Sequence, residues 1–153
     1  MVKCVIVAEK ESAASDIAAG LFGKGSRVGR SYQGKTPAGL AIAVTWASGH
    51  MYELAPPHAY DPALKDWSVA LLPIVPPKWV YIQHEKEGQE KSIRAIEAIV
   101  GSLSAGGELI NACDAEREGE LIYRKLIQPM RIAPGTKMSR LWIHSFTAKG
   151  VQE

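Results

Sequence analysis

The sequence predicts an α/β fold in which helices flank a central, mostly parallel sheet. Two apolar runs, residues 2–7 and 108–113, have the length and composition of strands that are covered on both faces. Each is followed by a segment with helical periodicity, 12–22 after the first run and 117–128 after the second. Strands that alternate with helices along a chain are typical of parallel sheets, because each helix returns the chain to the start of the next strand.

The remaining elements continue this alternation over 153 residues, a length that suits one domain. Further strands are predicted at 28–33, 40–46, 79–83 and 137–143, and a further helix at 87–103. Residues 55–77 hold six of the nine prolines and predict an irregular excursion. We expect apolar side chains to anchor it, namely Tyr60, Trp67, Leu71 and Leu72. We also expect the four tryptophans, Trp46, Trp67, Trp79 and Trp142, to lie in the core.

Composition and cysteine usage indicate a cytoplasmic protein that has no membrane partner. No stretch approaches the roughly 20 apolar residues that span a bilayer, and the first residues lack the layout of a signal peptide. The net charge of +2 does not by itself indicate a protein that wraps nucleic acid. Cys4 and Cys113 both lie in apolar strand patterns, so we expect buried free thiols.

The most informative motif is an acidic run at the junction between the strand 108–113 and the helix that follows. It contains Asp114, Glu116, Glu118 and Glu120 within seven residues. Four carboxylates this close cannot all ionise cheaply unless a cation lies among them or some stay protonated. Mg²⁺ suits an all-oxygen site and also binds phosphate. Acids that complement the helix dipole would explain one or two of the four, but neither four nor the helix-weakening Gly119.

A second acid, Glu9, follows the first predicted strand. If the strands 2–7 and 108–113 are neighbours, Glu9 faces Asp114, Glu116 and Glu118 across one crevice at the carboxyl edge of the sheet. This placement predicts a single acidic pocket that is built from two distant segments.

Several basic residues and one histidine could contact phosphate beside this pocket. Lys10 could act as a point charge, Arg117 could clamp a phosphate or only screen its neighbours, and His50 after Gly49 could donate to a phosphate oxygen. For Lys10 and Arg117 a structural role is an equally open alternative, whereas a lone histidine at a strand end more often has a structural role than a catalytic one. Two wider groups of cations could face nucleic acid or merely be solvated: Lys24, Arg27, Arg30 and Lys35, and Arg117, Arg124, Lys125, Arg131, Lys137 and Arg140.

Four segments of the chain resemble the type IA DNA topoisomerases, with the nearest match in the bacterial topoisomerase III branch. They are residues 7–10, 45–54, 114–120 and 140–147, in the order and spacing of that family. The resemblance covers essentially the whole chain, and Arg-Glu-Gly-Glu at 117–120 is specific to the type IA group. It implies a TOPRIM (Rossmann-like) fold over 1–153, with a core of about 1–147 and the start of a following segment at 148–153.

The resemblance also implies a role for each matched residue. Glu9 would be the acid near the scissile phosphate and would share a metal site for Mg²⁺ with Asp114, Glu116 and Glu118. Lys10 would contact the phosphate. The family usually has aspartate at position 116, so the glutamate here adds a methylene to that ligand.

In such enzymes a tyrosine attacks a DNA strand and becomes joined to its 5′ phosphate. An intact strand then passes through the gap, and the break is resealed without ATP. None of the five tyrosines matches the motif of that residue, so the gate domains that carry it would lie outside this chain. We therefore expect the chain alone to be inactive and monomeric, with single-stranded DNA and the remaining domains as its partners.

Two other interpretations stay open. A primase, nuclease or ribosomal-RNA maturase could use the same fold for a different reaction, although these lack Arg-Glu-Gly-Glu and Arg140-Leu141-Trp142. A non-catalytic binding module, whose acids only cap a helix, would show no response to Mg²⁺ and would bind DNA with a steep salt dependence.

Overall fold

A computed structural model of the chain describes residues 2–23, 26–66, 68–142 and 150–151. The strands and α-helices that it assigns are, in chain order, β1 (Val2–Ala8), α1 (Glu11–Phe22), β2 (Ser26–Val28), β3 (Ser31–Lys35), β4 (Ala41–Trp46), β5 (Tyr52–Leu54), β6 (Tyr81–Gln83), α2 (Gln89–Gly101), β7 (Leu103–Ala112), α3 (Arg117–Ile127) and β8 (Lys137–Arg140).

Six strands form the main sheet in the order β2-β3-β4-β1-β7-β8. Strand β1 lies at its centre and pairs in parallel with β4 on one side and β7 on the other. Strand β8 continues the parallel part beside β7, whereas β3 is antiparallel to both of its neighbours, β2 and β4. Strands β5 and β6 pair separately. The predicted α/β fold with a mostly parallel sheet is confirmed.

Helices cover both faces of the sheet. Side chains along β1 point alternately to the two faces, so β1 contributes to a hydrophobic core on each face. Val5 and Val7 pack with α2 and α3 in one cluster. Cys4, Ile6 and Ala8 pack with α1 in the other. The apolar run at residues 2–7 therefore contributes side chains to both clusters, as expected for a strand that is buried on both faces.

The structure differs from the prediction in several element boundaries. The predicted strand 28–33 is interrupted at Gly29, whose φ of 57° favours glycine, and becomes the β2–β3 hairpin. Strand β7 begins five residues earlier than predicted, at Leu103. Strand β5 was not predicted, because its three residues have no pattern without β6. Strand β8 ends at Arg140, and position 143 of the predicted strand lies outside the described residues.

The proline-rich excursion is irregular, as predicted, and contains three short 3₁₀ turns, Pro57–Ala59, Pro62–Lys65 and Val69–Leu71. The hydroxyl of Tyr60 anchors it by accepting a hydrogen bond from the Val80 amide at 3.0 Å.

Several apolar side chains that were expected to be buried are exposed. The expectation of an anchoring role is wrong for Leu71 and Leu72, which are both exposed. The expected core position holds for Trp46, which is buried, and is wrong for Trp79 and Trp142. Trp67 lies outside the described residues.

No helix within the described residues is long and apolar enough to cross a bilayer. Both cysteines are buried free thiols, as expected, although their strands are neighbours. Burial raises the pKa of Cys4 to about 11 and that of Cys113 to about 12. A thiolate is the reactive form of cysteine, so both groups are held in the unreactive form.

We predict that neither native thiol reacts with a disulfide reagent at pH 8 within the time in which the urea-unfolded chain reacts completely. A Ser26→Cys variant is the matched control, since position 26 is exposed on β2 and its added thiol should react at once. Rapid labelling of two thiols in the folded wild type would contradict the burial of these strands.

Candidate metal and phosphate site

Three chain segments meet at the carboxyl edge of the parallel strands. Ala8, the last residue of β1, pairs with Trp46 of β4 and with Ala112 of β7, so the three strands end at the same level. The Ala47 amide donates to the Ala8 carbonyl at 2.9 Å and extends this alignment by one residue. Ligands of open α/β sheets bind beyond this edge, next to the strand from which the connections run to opposite sides of the sheet. Here that strand is β1.

Glu9 and the acidic run follow the aligned ends of two neighbouring strands, β1 and β7. Burial raises the pKa of the Cys113 thiol, and the negative charges of Glu9, Asp114 and Glu120 raise it further. The thiol itself lies 3.8 Å from the Val7 carbonyl oxygen and bridges β7 to β1. The predicted adjacency of the two strands is confirmed, and it brings Glu9 to the acidic run.

A histidine from the β4 side contacts the acidic run directly. Nε2 of His50 lies 2.6 Å from Oε1 of Glu118. This hydrogen bond holds the pKa of the Glu118 carboxyl below its usual range, and the charge of His50 adds to the effect. The side chain of Gln89 donates to the His50 carbonyl at 3.1 Å and so fixes the loop after β4 to the start of α2.

Glu120 is separated from the other acids of the run. Its carboxylate accepts from Arg140 at 2.7 Å, from Arg124 at 2.7 Å and from Asn111 at 2.8 Å. These contacts bind α3 to β7 and β8, so Glu120 has a structural role that the sequence did not reveal. Three of the four acids therefore lie at the edge of the sheet, whereas Glu120 is held in a network of hydrogen bonds and ion pairs.

The turn that carries Asp114 is fixed by its backbone. Arg140 donates to the Asp114 carbonyl at 2.6 Å and to the Cys113 carbonyl at 3.3 Å. On the other side of the turn, Gly119 is buried against the Asp114 backbone. A Cβ atom at Gly119 would overlap the Asp114 carbonyl oxygen and lie 2.7 Å from its amide nitrogen. The close approach of α3 to this turn explains the glycine that interrupts the acidic run.

The residues expected to form the acidic site are Glu9, Asp114, Glu116 and Glu118. Within the part of the chain that the structure describes, no three side chains are placed to hold a metal together. Asp114, Glu116 and Glu118 are exposed at this edge, as are the cations Lys10 and Arg117. Mg²⁺ usually takes only one or two carboxylates and completes its shell with water and substrate phosphate. The oxygen donors of the acidic site therefore fit Mg²⁺ that is bound together with a phosphate.

Comparison with known protein families agrees with this fold. The Toprim domain family matches residues 4–146, and the chain belongs to this family. Its relatives include proteins named DNA topoisomerase 3, which confirms the resemblance seen in the sequence.

Three of these relatives illustrate the similarity. The chain is 36% identical over 151 residues to DNA topoisomerase 3 of Staphylococcus haemolyticus and 37% identical over 153 residues to that of Bacillus thuringiensis strain Al Hakam. It is 34% identical over 154 aligned positions to that of Staphylococcus epidermidis. The alignments cover 99%, 100% and 99% of this chain, which spans 20% of the length of each relative.

We predict that Gly119→Ala destabilises the fold by about 1 to 3 kcal/mol, because the added methyl group forces α3 away from the Asp114 turn. Gly101→Ala is the matched control, since Gly101 is also helical and has open space at its Cβ position. Alanine there should be neutral or stabilising by up to about 1 kcal/mol. Urea unfolding of both variants checks the difference, and equal midpoints would contradict the close approach.

We predict that His50→Leu, which removes both the hydrogen bond and the charge, raises the pKa of Glu118 toward its usual range. In the wild type the lowered pKa stabilises the fold above the range in which the unfolded carboxyl titrates, and this stabilisation is lost as the pH falls. NMR titration of the Glu118 carboxyl carbon measures the shift. His84→Leu is the control, because His84 lies near Glu53 and its loss should leave the pKa of Glu118 unchanged.

Proposed function

We propose that this chain is the metal-binding Toprim domain of a type IA DNA topoisomerase of the topoisomerase III kind. The full enzyme would break, pass and rejoin single-stranded DNA in a reaction that needs Mg²⁺ and no ATP. Its attacking tyrosine, which forms the 5′-phosphotyrosine, would lie in gate domains outside this chain. The observation that carries the proposal is the pairing of Ala8 with Ala112, which puts Glu9 and the acidic run at the same carboxyl edge of the sheet.

Within this function, the acidic site would receive the scissile phosphate. Glu9 would face the phosphate from the end of β1, and Lys10 beside it would contact a phosphate oxygen. Asp114, Glu116 and Glu118 would hold Mg²⁺ together with Glu9. When bound, Mg²⁺ would neutralise charge on the phosphate and orient it.

Other residues would keep these groups in place or contact the strand. Arg140 fixes the Asp114 turn through two backbone carbonyls. His50 holds Glu118 by a hydrogen bond. In the proposed complex it would donate to a phosphate oxygen. Arg117 is exposed at the start of α3, where the helix dipole and its own charge both favour an anion.

Further properties follow from this assignment. The whole of 1–153 would be a Toprim domain, with its core ending near 147 and the next segment beginning at 148–153. This boundary falls on positions outside the described residues, whereas Val151 is buried against Gly20 of α1. The protein would be cytoplasmic and associated with the nucleoid, and the chain alone would be a monomer that cuts no DNA.

We predict that Mg²⁺ shifts NMR signals of the backbone around Glu9, Asp114, Glu116 and Glu118, and that trace Mn²⁺ broadens them. Asp114→Asn should abolish the localised response. Asp16→Asn is the control, because Asp16 is an exposed acid on α1 that belongs to no predicted site.

The same titration repeated with a short oligothymidine tests whether phosphate completes the metal site, since the local response should then appear at lower Mg²⁺ concentration. No local response at millimolar Mg²⁺ with or without the strand would contradict the proposal and favour a non-catalytic binding module. A response in which Asp114→Asn behaves as the wild type would place the metal elsewhere.

A further inference from the structure

A second charged surface lies at the same edge of the sheet, on the far side of β4 from the acidic run. It is a cleft of about 260 Å³ between the β2–β3 turn and α2. We call it the arginine cleft and define it by Arg27, Arg30, Trp46 and Lys91. Its rim also includes Glu11, Ser92 and Ala95.

Both arginines are placed against the buried indole of Trp46. The Cζ atoms of Arg30 and Arg27 lie 5.2 Å and 5.8 Å from its ring centroid. Arg30 also donates to Ser48 Oγ at 2.5 Å, which fixes its guanidinium to the loop between β4 and His50. Guanidinium groups stacked on a tryptophan in this way are held in one orientation.

Positive charge in the arginine cleft exceeds negative charge. Arg27 pairs with Glu11 at 2.9 Å. Arg30 and Lys91 have no carboxylate within ion-pair distance among the described residues, and Nε of Arg30 is buried there without a hydrogen-bond partner. Burial lowers the pKa of Arg30. The charge of Glu11 opposes this shift, and the charge of Arg27 adds to it. Arg30 and Lys91 both line the arginine cleft without a paired acid, so a bound anion would stabilise them.

The arginine cleft continues the edge that carries the acidic site. Ser48, the hydrogen-bond partner of Arg30, is two residues from His50, which contacts Glu118. Two residues span at most about 7 Å of chain. Glu11 of the cleft rim likewise follows Glu9 and Lys10 directly in sequence.

We propose that the arginine cleft binds a backbone phosphodiester of the same nucleic-acid strand whose reacting phosphate lies in the acidic site. This identification of the ligand rests on the proposed function. Arg27, Arg30 and Lys91 supply the charge, and Ser48 couples the cleft to the loop of His50. The tryptophan face is covered by guanidinium groups rather than free for a base, so the contact reads the backbone and is independent of base sequence.

The experiment measures binding of the 153-residue chain to fluorescein-labelled oligothymidine by anisotropy, in EDTA and over a range of salt concentrations. Lys91→Gln and Arg27→Gln should each weaken binding and reduce the slope of log K against log salt by about 0.7, the value for one lost contact to a single strand. Lys35→Gln is the matched control. Lys35 is an exposed cation at the opposite end of β3, and its removal should leave the slope unchanged.

Three outcomes would overturn the inference. The first is that Lys91→Gln and Arg27→Gln show the same salt slope as Lys35→Gln. The second is that the wild type shows no measurable binding at low salt. The third is that an acidic peptide competes for the chain as strongly as unlabelled oligothymidine does. Lys91 lies on the exposed face of α2, so its variant keeps the test valid if Arg27→Gln disturbs the fold.

The anisotropy assay and the Mg²⁺ titration distinguish failure of this inference from failure of the proposed function. The anisotropy assay contains no metal, so the slopes of Lys91→Gln, Arg27→Gln and Lys35→Gln are compared independently of the Mg²⁺ response of the acidic site. Conversely, Lys91→Gln should retain the Mg²⁺ response of the acidic site in NMR without DNA. Loss of only one of the two signals therefore identifies which proposal is wrong.

Discussion

The parallel pairing of β1 with both β4 and β7 is the constraint on which the rest of the structure depends. It aligns the ends of three strands at Ala8, Trp46 and Ala112, and every group of the acidic site follows one of these ends. It also gives each side of β1 its own helix layer, so the same strand that buries two clusters of apolar side chains positions Glu9. Packing and chemistry therefore share one register, and a slip of a single residue would remove both.

The start of α3 shows how a short acidic run can serve two purposes. Glu118 and Glu120 are two positions apart on a helix and therefore face different neighbours. Glu118 reaches His50 beyond β4, whereas Glu120 reaches Arg140 on β8 and Asn111 on β7. The second set of bonds keeps the helix start and the Asp114 turn rigid, which a site for a metal and a phosphate requires.

Local sequence patterns predicted the elements that carry the site, because β1, β7 and α3 combine apolar runs or strong periodicity with nearby breakers. The β2–β3 hairpin escaped prediction since its turn is set by the positive φ of Gly29 inside what reads as one strand. The role of Glu120 could not be predicted, because its partner Arg140 comes from a strand twenty residues away. The same holds for the arginine cleft, which depends on how the hairpin docks beside α2.

The central position of β1 also governs how the chain can fold as it is synthesised. Cys4 pairs with Ile42 and with Glu108, so β1 must wait for a partner that follows 104 positions later. At about 5 to 20 residues per second, translation leaves one edge of an apolar strand uncovered for about 5 to 20 s. Contacts of such long sequence separation also slow folding itself. Within this sheet, the order of synthesis thus delays the acidic site until β7 has joined β1.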